Sequence, residues 1–522
     1  MTTEFRVYGP PGCGKTTYIA SQATEAAERY GEDQISICSL TNTAVKEAVG
    51  RELPLPADNV TTLHARCKRS LQAPPPAEAF ASDFIENYPQ YATEECLPPA
   101  MRHPRRRPGN EPETTDEVMI GGSREPTLYE RVQILRQQMI PESEWQPLLR
   151  TWYSAWADFM AQTGRLDFTG WLEATLEEGC LPAQQVVYID EAQDHTPLQL
   201  AVIRSWQTRN RVLVGDDDQN LYEWSGAIPD RFFAHPIAEG NEKVLSQSYR
   251  VPRAVHQAAE RWVRRLRSRR AKEYHPRDED GALHYGSYSL GHAAEGTLPP
   301  HLRTDDGETV MILAAAGYLL DPVIDLLRDQ RIPFHNPYRK ANLKWNPLGT
   351  IGPALDAFLQ PSWTGNEAYR WMSLLRSTDV YHPGKRKIAL EWLQRVGRQE
   401  ILIDDLQTFL LPTTLDRVEQ EDLSLFQLRR KGLSGNWDYA LDLYHHLSPE
   451  ERRPRAVVGT IHSVKGGQAD HVYLMPDLSP AAYEDLFSLN VDRIVRLMYV
   501  GMTRARVSLT LGAETTRRCV SW

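Results

Sequence analysis

Three apolar runs along the chain end abruptly in polar residues. "FRVYG" (5–9) leads into "PPGCGKTT", "VVYID" (186–190) into "EAQD", and "RVLVG" (211–215) into three aspartates followed by Gln219. Short runs rich in β-branched and aromatic residues, bounded by glycine or acids, predict buried strands of a parallel sheet. Apolar positions at helical spacing predict helices in "TTYIASQATEAAERY" (16–30), "TLYERVQILRQQM" (127–139) and "LLRTWYSAWADFMAQ" (148–162). The basic run "AERWVRRLRSRRAK" (259–272) also reads as helical. Residues 309–335 read as strand, helix and turn, and helical patterns recur in "YRWMSLLRS" (369–377) and "IALEWLQRVG" (388–397). The stretch 98–117, rich in Pro, Arg and Glu, reads as an exposed loop, in which Arg105, Arg106 and Arg107 are either solvated or set against duplex phosphate.

Length and composition narrow the class. A chain of 522 residues exceeds one compact domain and predicts two to four. No apolar run reaches the ~18–20 residues of a membrane span, so no membrane partner is expected. The six cysteines form no CxxC pair, which argues against a zinc site or disulfide framework and for a reducing, cytoplasmic setting. A net charge of −10 excludes a chain coated in positive charge but leaves room for a local basic channel.

The chemistry sits where the strands end. Gly9, Pro10, Pro11, Gly12, Cys13, Gly14, Lys15 and Thr16 form G-x-x-x-x-G-K-T, with Thr17 following, between a strand and a helix. Such a loop aims backbone N–H groups and a helix N-terminus at phosphate oxygens. Lys15 is expected on the β- and γ-phosphates of ATP and Thr16 on Mg2+. Asp190 fits the acid that holds Mg2+, and Glu191 the base that orients water. If "VLVGDDDQ" is a strand of the same sheet, Asp216, Asp217, Asp218 and Gln219 lie beside the phosphates, with Gln219 able to report the γ-phosphate. Tyr222 and Trp224 just beyond suit stacking on bases. Core packing is the ordinary fate of a tryptophan, but the polar neighbours Glu223 and Ser225 favour a surface.

The order of these segments resembles the UvrD/Rep/PcrA-type superfamily 1 helicases. "GPPGCGKT", "IDEAQD" and "VGDDDQNLYEWSGA" are similar to motifs I, II and III. "SLTNTAVKEAVGRE" (39–52) and "TTLHA" (61–65) resemble Ia and Ib. "LSQSYRVP" (245–252), "VVGTIHSVKGGQADHVYL" (457–474) and "RLMYVGMTRARVSLTL" (496–511) resemble IV, V and VI. The resemblance implies an α/β fold of two RecA-like P-loop lobes with parallel sheets, each interrupted by a mainly helical insertion. The first lobe would be 1–71 and 170–245, its insertion 72–169, the second lobe 246–335 and 455–522, and a shortened insertion 336–454. It implies a 3′–5′ motor on single-stranded DNA and on junctions with duplex, acting in repair or replication. The alternative is a translocase or motor subunit of a repair, replication or defence complex that unwinds little alone.

The resemblance also assigns residues. Tyr249 would stack on the adenine, and Arg250 and Arg504 would be arginine fingers, joining Lys15, Glu191 and Gln219 in catalysis. Thr41, Asn42, Thr62 and His64 would lie along DNA on the first lobe. Thr460, His462 and Lys465 would link DNA to nucleotide, with Tyr222 and Trp224 gripping bases. The chain departs from the pattern in places. An amide, Gln468, stands where a ribose-binding carboxylate is usual, and Leu40, Thr43 and Ser225 replace an aromatic, a lysine and an arginine. Eight residues before Gly9 leave no room for the adenine-reading glutamine motif, so weak base discrimination is expected. The family's common C-terminal tail and any nuclease domain are also expected to be missing.

Overall fold

The computed structural model of the chain describes residues 2–39, 53–93, 95–96, 126–179, 184–286, 300–302, 307–339, 342–349, 351–430 and 436–522. Thr41 and Asn42, with Leu40 and Thr43, lie outside the described residues, as do Arg105, Arg106 and Arg107. The chain separates into two compact units: Met1–Thr297 with Val310–Asp321 and Gly459–Trp522, and Leu298–Thr309 with Pro322–Val458.

In the first unit, six strands form one parallel sheet: β1 (Thr3–Tyr8), β2 (Ile35–Ser39), β3 (Val60–Thr62), β4 (Val186–Ile189), β5 (Asn210–Gly215) and β6 (Glu242–Val244). Their order is β3-β2-β4-β5-β1-β6. Side chains alternate along a strand, so both faces of β1 need cover. Val7 packs with Ile19, Ala23 and Ala27 of the helix Lys15–Tyr30. Tyr8 packs on the opposite face with Trp171, Leu198 and Val202. The fourfold spacing of Ile19, Ala23 and Ala27 lays one small apolar stripe along that helix, which lets it sit close to the sheet. The predicted strands at 5–9, 186–190 and 211–215 are thus β1, β4 and β5.

The same unit holds four more parallel strands, β7 (Ala282–Tyr285), β8 (Val310–Ala314), β13 (Ala469–Leu474) and β14 (Ala505–Leu511), ordered β7-β14-β13-β8. The helices Arg253–Val263 and Val491–Met502 are joined where the Trp262 indole N–H donates to the Val495 carbonyl at 2.9 Å. Two sheets of parallel strands with many helices make this an α/β fold consistent with two RecA-like lobes. The predicted basic helix 259–272 is corrected. It ends at Val263 with Arg264 as its C-cap, and Arg269, Arg270 and Lys272 beyond it are drawn onto acidic partners described below.

Between β3 and β4 lie the helices Ala81–Asn87, Leu128–Gln137 and Pro147–Thr163, around an aromatic core of Phe84, Tyr129, Trp152, Trp156 and Phe159, and the helix Phe168–Glu178, whose Trp171 and Leu172 pack with Tyr8. The buried Asp167 carboxylate accepts from Arg136 at 2.6 Å and from the Trp156 indole at 3.0 Å. In the second unit, β9 (Phe334–His335) pairs parallel with β12 (Ala456–Thr460), the strand by which the chain returns to the first unit. Between them stand five helices among the described residues, Gly352–Phe358, Gly365–Met372, Lys385–Val396, Pro412–Glu419 and Trp437–His446. The short antiparallel pair β10 (Trp363–Thr364) and β11 (Glu400–Ile401) lies among them, over a core including Phe358, Trp371, Phe426 and Trp437.

Candidate nucleotide and nucleic-acid site

The loop after β1 is shaped for an anion. Gly12 and Gly14 both have φ of 73°, and Gly14 caps the helix Lys15–Tyr30 with no side-chain hydrogen bond and no acid in the first turn. A side chain at Gly12 would meet Arg250 Cβ at 2.5 Å, and one at Gly9 would strike the Lys15 stem. Bare N–H groups at a helix N-terminus beside a lysine fit a polyphosphate. The Lys15 ammonium donates to the Gly9 carbonyl at 3.1 Å and lies 3.8 Å from the Glu191 carboxylate. Thr16 is half-buried on the first turn, and Asp190, buried at the end of β4, accepts the Glu191 N–H at 2.9 Å. A hydroxyl and a carboxylate flanking a phosphate cradle are a donor set suited to Mg2+.

Glu191 sits at φ 49°, in the left-handed region that a non-glycine residue rarely occupies. Burial would raise its pKa, but Lys15 first, then Lys465, Gln193 and Arg504, hold it down to about 2. The Gln193 amide donates to Glu191 at 2.5 Å, while its oxygen accepts the Asp216 N–H at 2.9 Å, tying the end of β4 to the end of β5. This bridge explains Gly215, where any side chain would collide with Gln193.

The three aspartates do not face the phosphate loop as a group. Asp216, Asp217 and Asp218 are at most 1 % exposed, and all three close on the Lys272 ammonium, at 2.8, 2.5 and 3.0 Å. Arg269 adds two bonds to Asp218, at 3.1 and 2.7 Å, and the Arg270 N–H one to Asp217 at 2.9 Å. The burial of Lys272 depresses its pKa less than the carboxylates raise it, so it stays charged. Burial and the neighbouring acids push Asp218 up to about 6 despite Lys272 and Arg269.

Gln219 is the meeting point. Its amide nitrogen donates to Asp216 at 2.6 Å, its amide oxygen accepts from Arg504 at 3.2 Å, and its carbonyl accepts from Lys465 at 3.1 Å. Arg504, 2 % exposed, also donates to the Val500 and Gly467 carbonyls. Lys465 also pairs with buried Asp194, whose carboxyl burial pushes up to about 6. Arg250 donates to the Gln468 amide oxygen at 2.9 Å. The Tyr249 N–H donates to the Gly12 carbonyl at 2.9 Å, leaving its ring 73 % exposed beside the loop.

The residues expected on nucleic acid gather less tightly. The Lys465 ammonium stands 5.0 Å over the Tyr222 ring, which lies 6.0 Å from the Trp224 ring. Trp224 is half-buried, and its indole N–H is enclosed without a hydrogen-bond partner among the described residues. Glu223, read from sequence as marking a surface, is instead held by Arg496 at 2.6 Å and Arg493 at 3.2 Å. Thr460 is buried and accepts the Ser463 N–H, and His462 is half-buried on the following turn. Thr62 caps the helix Leu63–Ser70 by accepting the Ala65 N–H at 3.3 Å. His64, on that helix, lies edge-on to Phe168, and burial lowers its pKa to about 4. Sequence reasoning missed Gln193, Asp194, Lys272 and Arg496. Gln193 and Asp194 carried a signal in their place just after Glu191, and Arg496 in opening the stretch 496–511, while Lys272 carried none.

Comparison with known proteins covers part of this site. The AAA domain family (AAA_19) matches residues 2–225. The ATP-dependent DNA helicase PcrA of Staphylococcus aureus (strain Mu50) is 28 % identical over 106 residues, 19 % of this chain and 14 % of that protein. The probable DNA helicase II homolog of Mycoplasma capricolum is 29 % identical over 103 residues, again 19 % and 14 %. The aligned stretch therefore spans about one seventh of these relatives' length. Among the described residues, no helix is long and apolar enough to cross a membrane.

Proposed function

We propose, from the chain's UvrD/PcrA superfamily 1 character, that it hydrolyses ATP and uses the energy to step along single-stranded DNA in the 3′–5′ direction, opening duplex at junctions. The observation that carries this is the continuous set of contacts from Lys15 through Glu191, Gln193, Asp216 and Gln219 to Arg504 and Lys465. A loop built for phosphate, a carboxylate base, an arginine and a lysine are linked through Gln219, an amide suited to sensing a γ-phosphate.

In this reading the glycine loop and Lys15 bind the β- and γ-phosphates, and Tyr249 stacks on the base. Thr16 and Asp190 would hold Mg2+, which when bound would neutralise charge on the phosphates. Glu191 orients the attacking water and accepts its proton. Arg250 and Arg504 stabilise the charge that develops on the transferred group. Lys465 joins that centre to Tyr222 and Trp224, which stack on bases, while Thr62, His64, Thr460 and His462, with Thr41 and Asn42, line the strand. Residues 1–71 with 170–245 and 246–335 with 455–522 act as the two lobes, and their closure on ATP drives each step.

The test is ATP turnover with and without single-stranded DNA, followed by unwinding of duplexes bearing a 3′ or a 5′ tail. Stimulation by DNA and unwinding from a 3′ tail support the reading. Turnover indifferent to DNA removes the nucleic-acid part of it.

A further inference from the structure

The aspartate cluster holds more than a charge balance. Each of the three carboxylates touches the Lys272 ammonium, but Asp216 alone also touches Gln219. One Asp216 oxygen faces Lys272 at 2.8 Å, and the other receives the Gln219 amide nitrogen at 2.6 Å. An ionised carboxylate only accepts hydrogen bonds, so the amide must turn its NH2 toward Asp216. Its oxygen is then fixed on the opposite side, where Arg504, which only donates, lies at 3.2 Å. We infer that Asp216, kept charged by Lys272, is a positioning residue that sets the orientation of the Gln219 amide and so presents an acceptor to the Arg504 finger. This rests on the proposed ATPase reading of Gln219 and Arg504.

The chain of contacts explains features that a simple ion pair leaves unexplained. Lys272 comes from the segment after the helix Arg253–Val263, so a cation 56 residues from Asp216 decides which way an amide near the phosphate loop faces. A buried carboxylate with no cation would take up a proton and become a donor. The amide would then gain by turning over, and its NH2 would be set against the Arg504 guanidinium. Burial raises the pKa of Asp216, yet Lys272 first and then Lys15 outweigh it and hold the group below the ordinary carboxylate value. Asp217 and Asp218 share the ammonium but have their other contacts with Arg269, Arg270 and the backbone. They serve as controls for the charge hub itself.

The experiment compares Asp216→Asn, Asp217→Asn and Asp218→Asn for thermal midpoint, kcat and KM for ATP. In Asp216→Asn, Lys272 claims the new amide oxygen, so the new NH2 faces Gln219 and turns its amide over. The expected result is a kcat lower by roughly ten- to a hundred-fold, as for a small misplacement at a reacting centre, with KM for ATP within about two-fold. Asp217→Asn and Asp218→Asn are expected to shift the thermal midpoint at least as far while keeping kcat. A kcat that falls in parallel across all three variants overturns the inference, because the cluster is then structural only. An Asp216→Asn kcat equal to that of the unsubstituted protein overturns it as well, while leaving the ATPase reading intact. No hydrolysis by the unsubstituted protein would remove the ATPase reading and the inference together.

Discussion

Glu191→Gln changes one oxygen to an NH2 at the centre of the site and separates two effects. The carboxylate is held at about 2 rather than 4.5, Lys15 being the largest favourable cause, against the opposing effect of burial. That difference corresponds to about 3 kcal/mol of net stabilisation of the charged form. The Glu191 side chain keeps 27 % of its exposure and shares its cations among Lys15, Lys465 and Arg504. Water screening and this sharing leave about 1 kcal/mol to the Lys15 pair alone. Lys15 must leave Glu191 to reach a phosphate, so the pair opposes ATP binding by that amount. Glu191→Gln should therefore bind ATP about five-fold more tightly. Its turnover should fall ~10²–10⁴-fold, the usual share of a general base. The sign with pH follows from the lowered pKa. The pair is complete above 4.5 and is lost only as pH falls toward 2, so the gain in affinity should be the same at pH 6 and pH 8. Titration with a fluorescent ATP analogue, beside single-turnover hydrolysis, measures both effects. Unchanged or weaker ATP binding refutes the restraint on Lys15, and near-normal turnover refutes the role of Glu191.

Arg504→Lys keeps the charge but loses the fork that reaches Gln219, Gly467 and Val500; turnover should drop ~10³-fold with ATP binding retained. Loss of binding with turnover preserved at saturation would make Arg504 a clamp instead. Trp224→Ala should weaken single-stranded DNA binding by ~1–3 kcal/mol, one stacked base, and DNA stimulation of turnover should fall with it. An unfolded variant whose folded remainder binds DNA normally would place the ring in the core. Burial holds the His195 imidazole down to about 4 from 6.5, so its contribution to stability is complete above pH 6.5 and is lost as pH falls toward 4, about 3 kcal/mol in all. His195→Gln should flatten the fall in denaturant midpoint between pH 6.5 and 4.5, and an unaltered slope would assign the acid sensitivity elsewhere.

The strands that carry the chemistry were legible because each is an apolar run cut off by the residues that do the work. In a parallel sheet the run must be buried on both faces, and its carboxyl end is where a ligand can be reached. The helix Lys15–Tyr30 was legible for a similar reason, with Ile19, Ala23 and Ala27 on one stripe. The basic run 259–272 misled because periodicity sees only local neighbours. Arg269, Arg270 and Lys272 lie beyond the helix and meet Asp216, Asp217 and Asp218 more than fifty residues away, and no local pattern distinguishes a lysine bound for burial from one bound for water. Glu223 misled in the same way, since a charged residue reads as exposed until its partners, Arg493 and Arg496, are brought to it by the fold.

The sharpest instance is the run of three aspartates itself. Read locally, adjacent like charges disfavour burial, and the end of a strand in this sheet puts them beside the phosphates. The fold supplies a lysine instead, and one ammonium has three protons for three carboxylates. Removing that lysine would leave buried charges unpaired, which costs more than the pair gains when intact, so the cluster specifies one arrangement of the loop more than it adds stability. With the loop fixed, Gln219 has its side chain on Arg504 and its carbonyl on Lys465. On the proposed reading, a γ-phosphate that draws Arg504 away competes directly with the Gln219 oxygen. The residue that loses this contact is held by Lys465, which stands over Tyr222. A single amide, pinned by an aspartate that a distant lysine keeps charged, is then the shortest path by which the nucleotide can be felt at the bases.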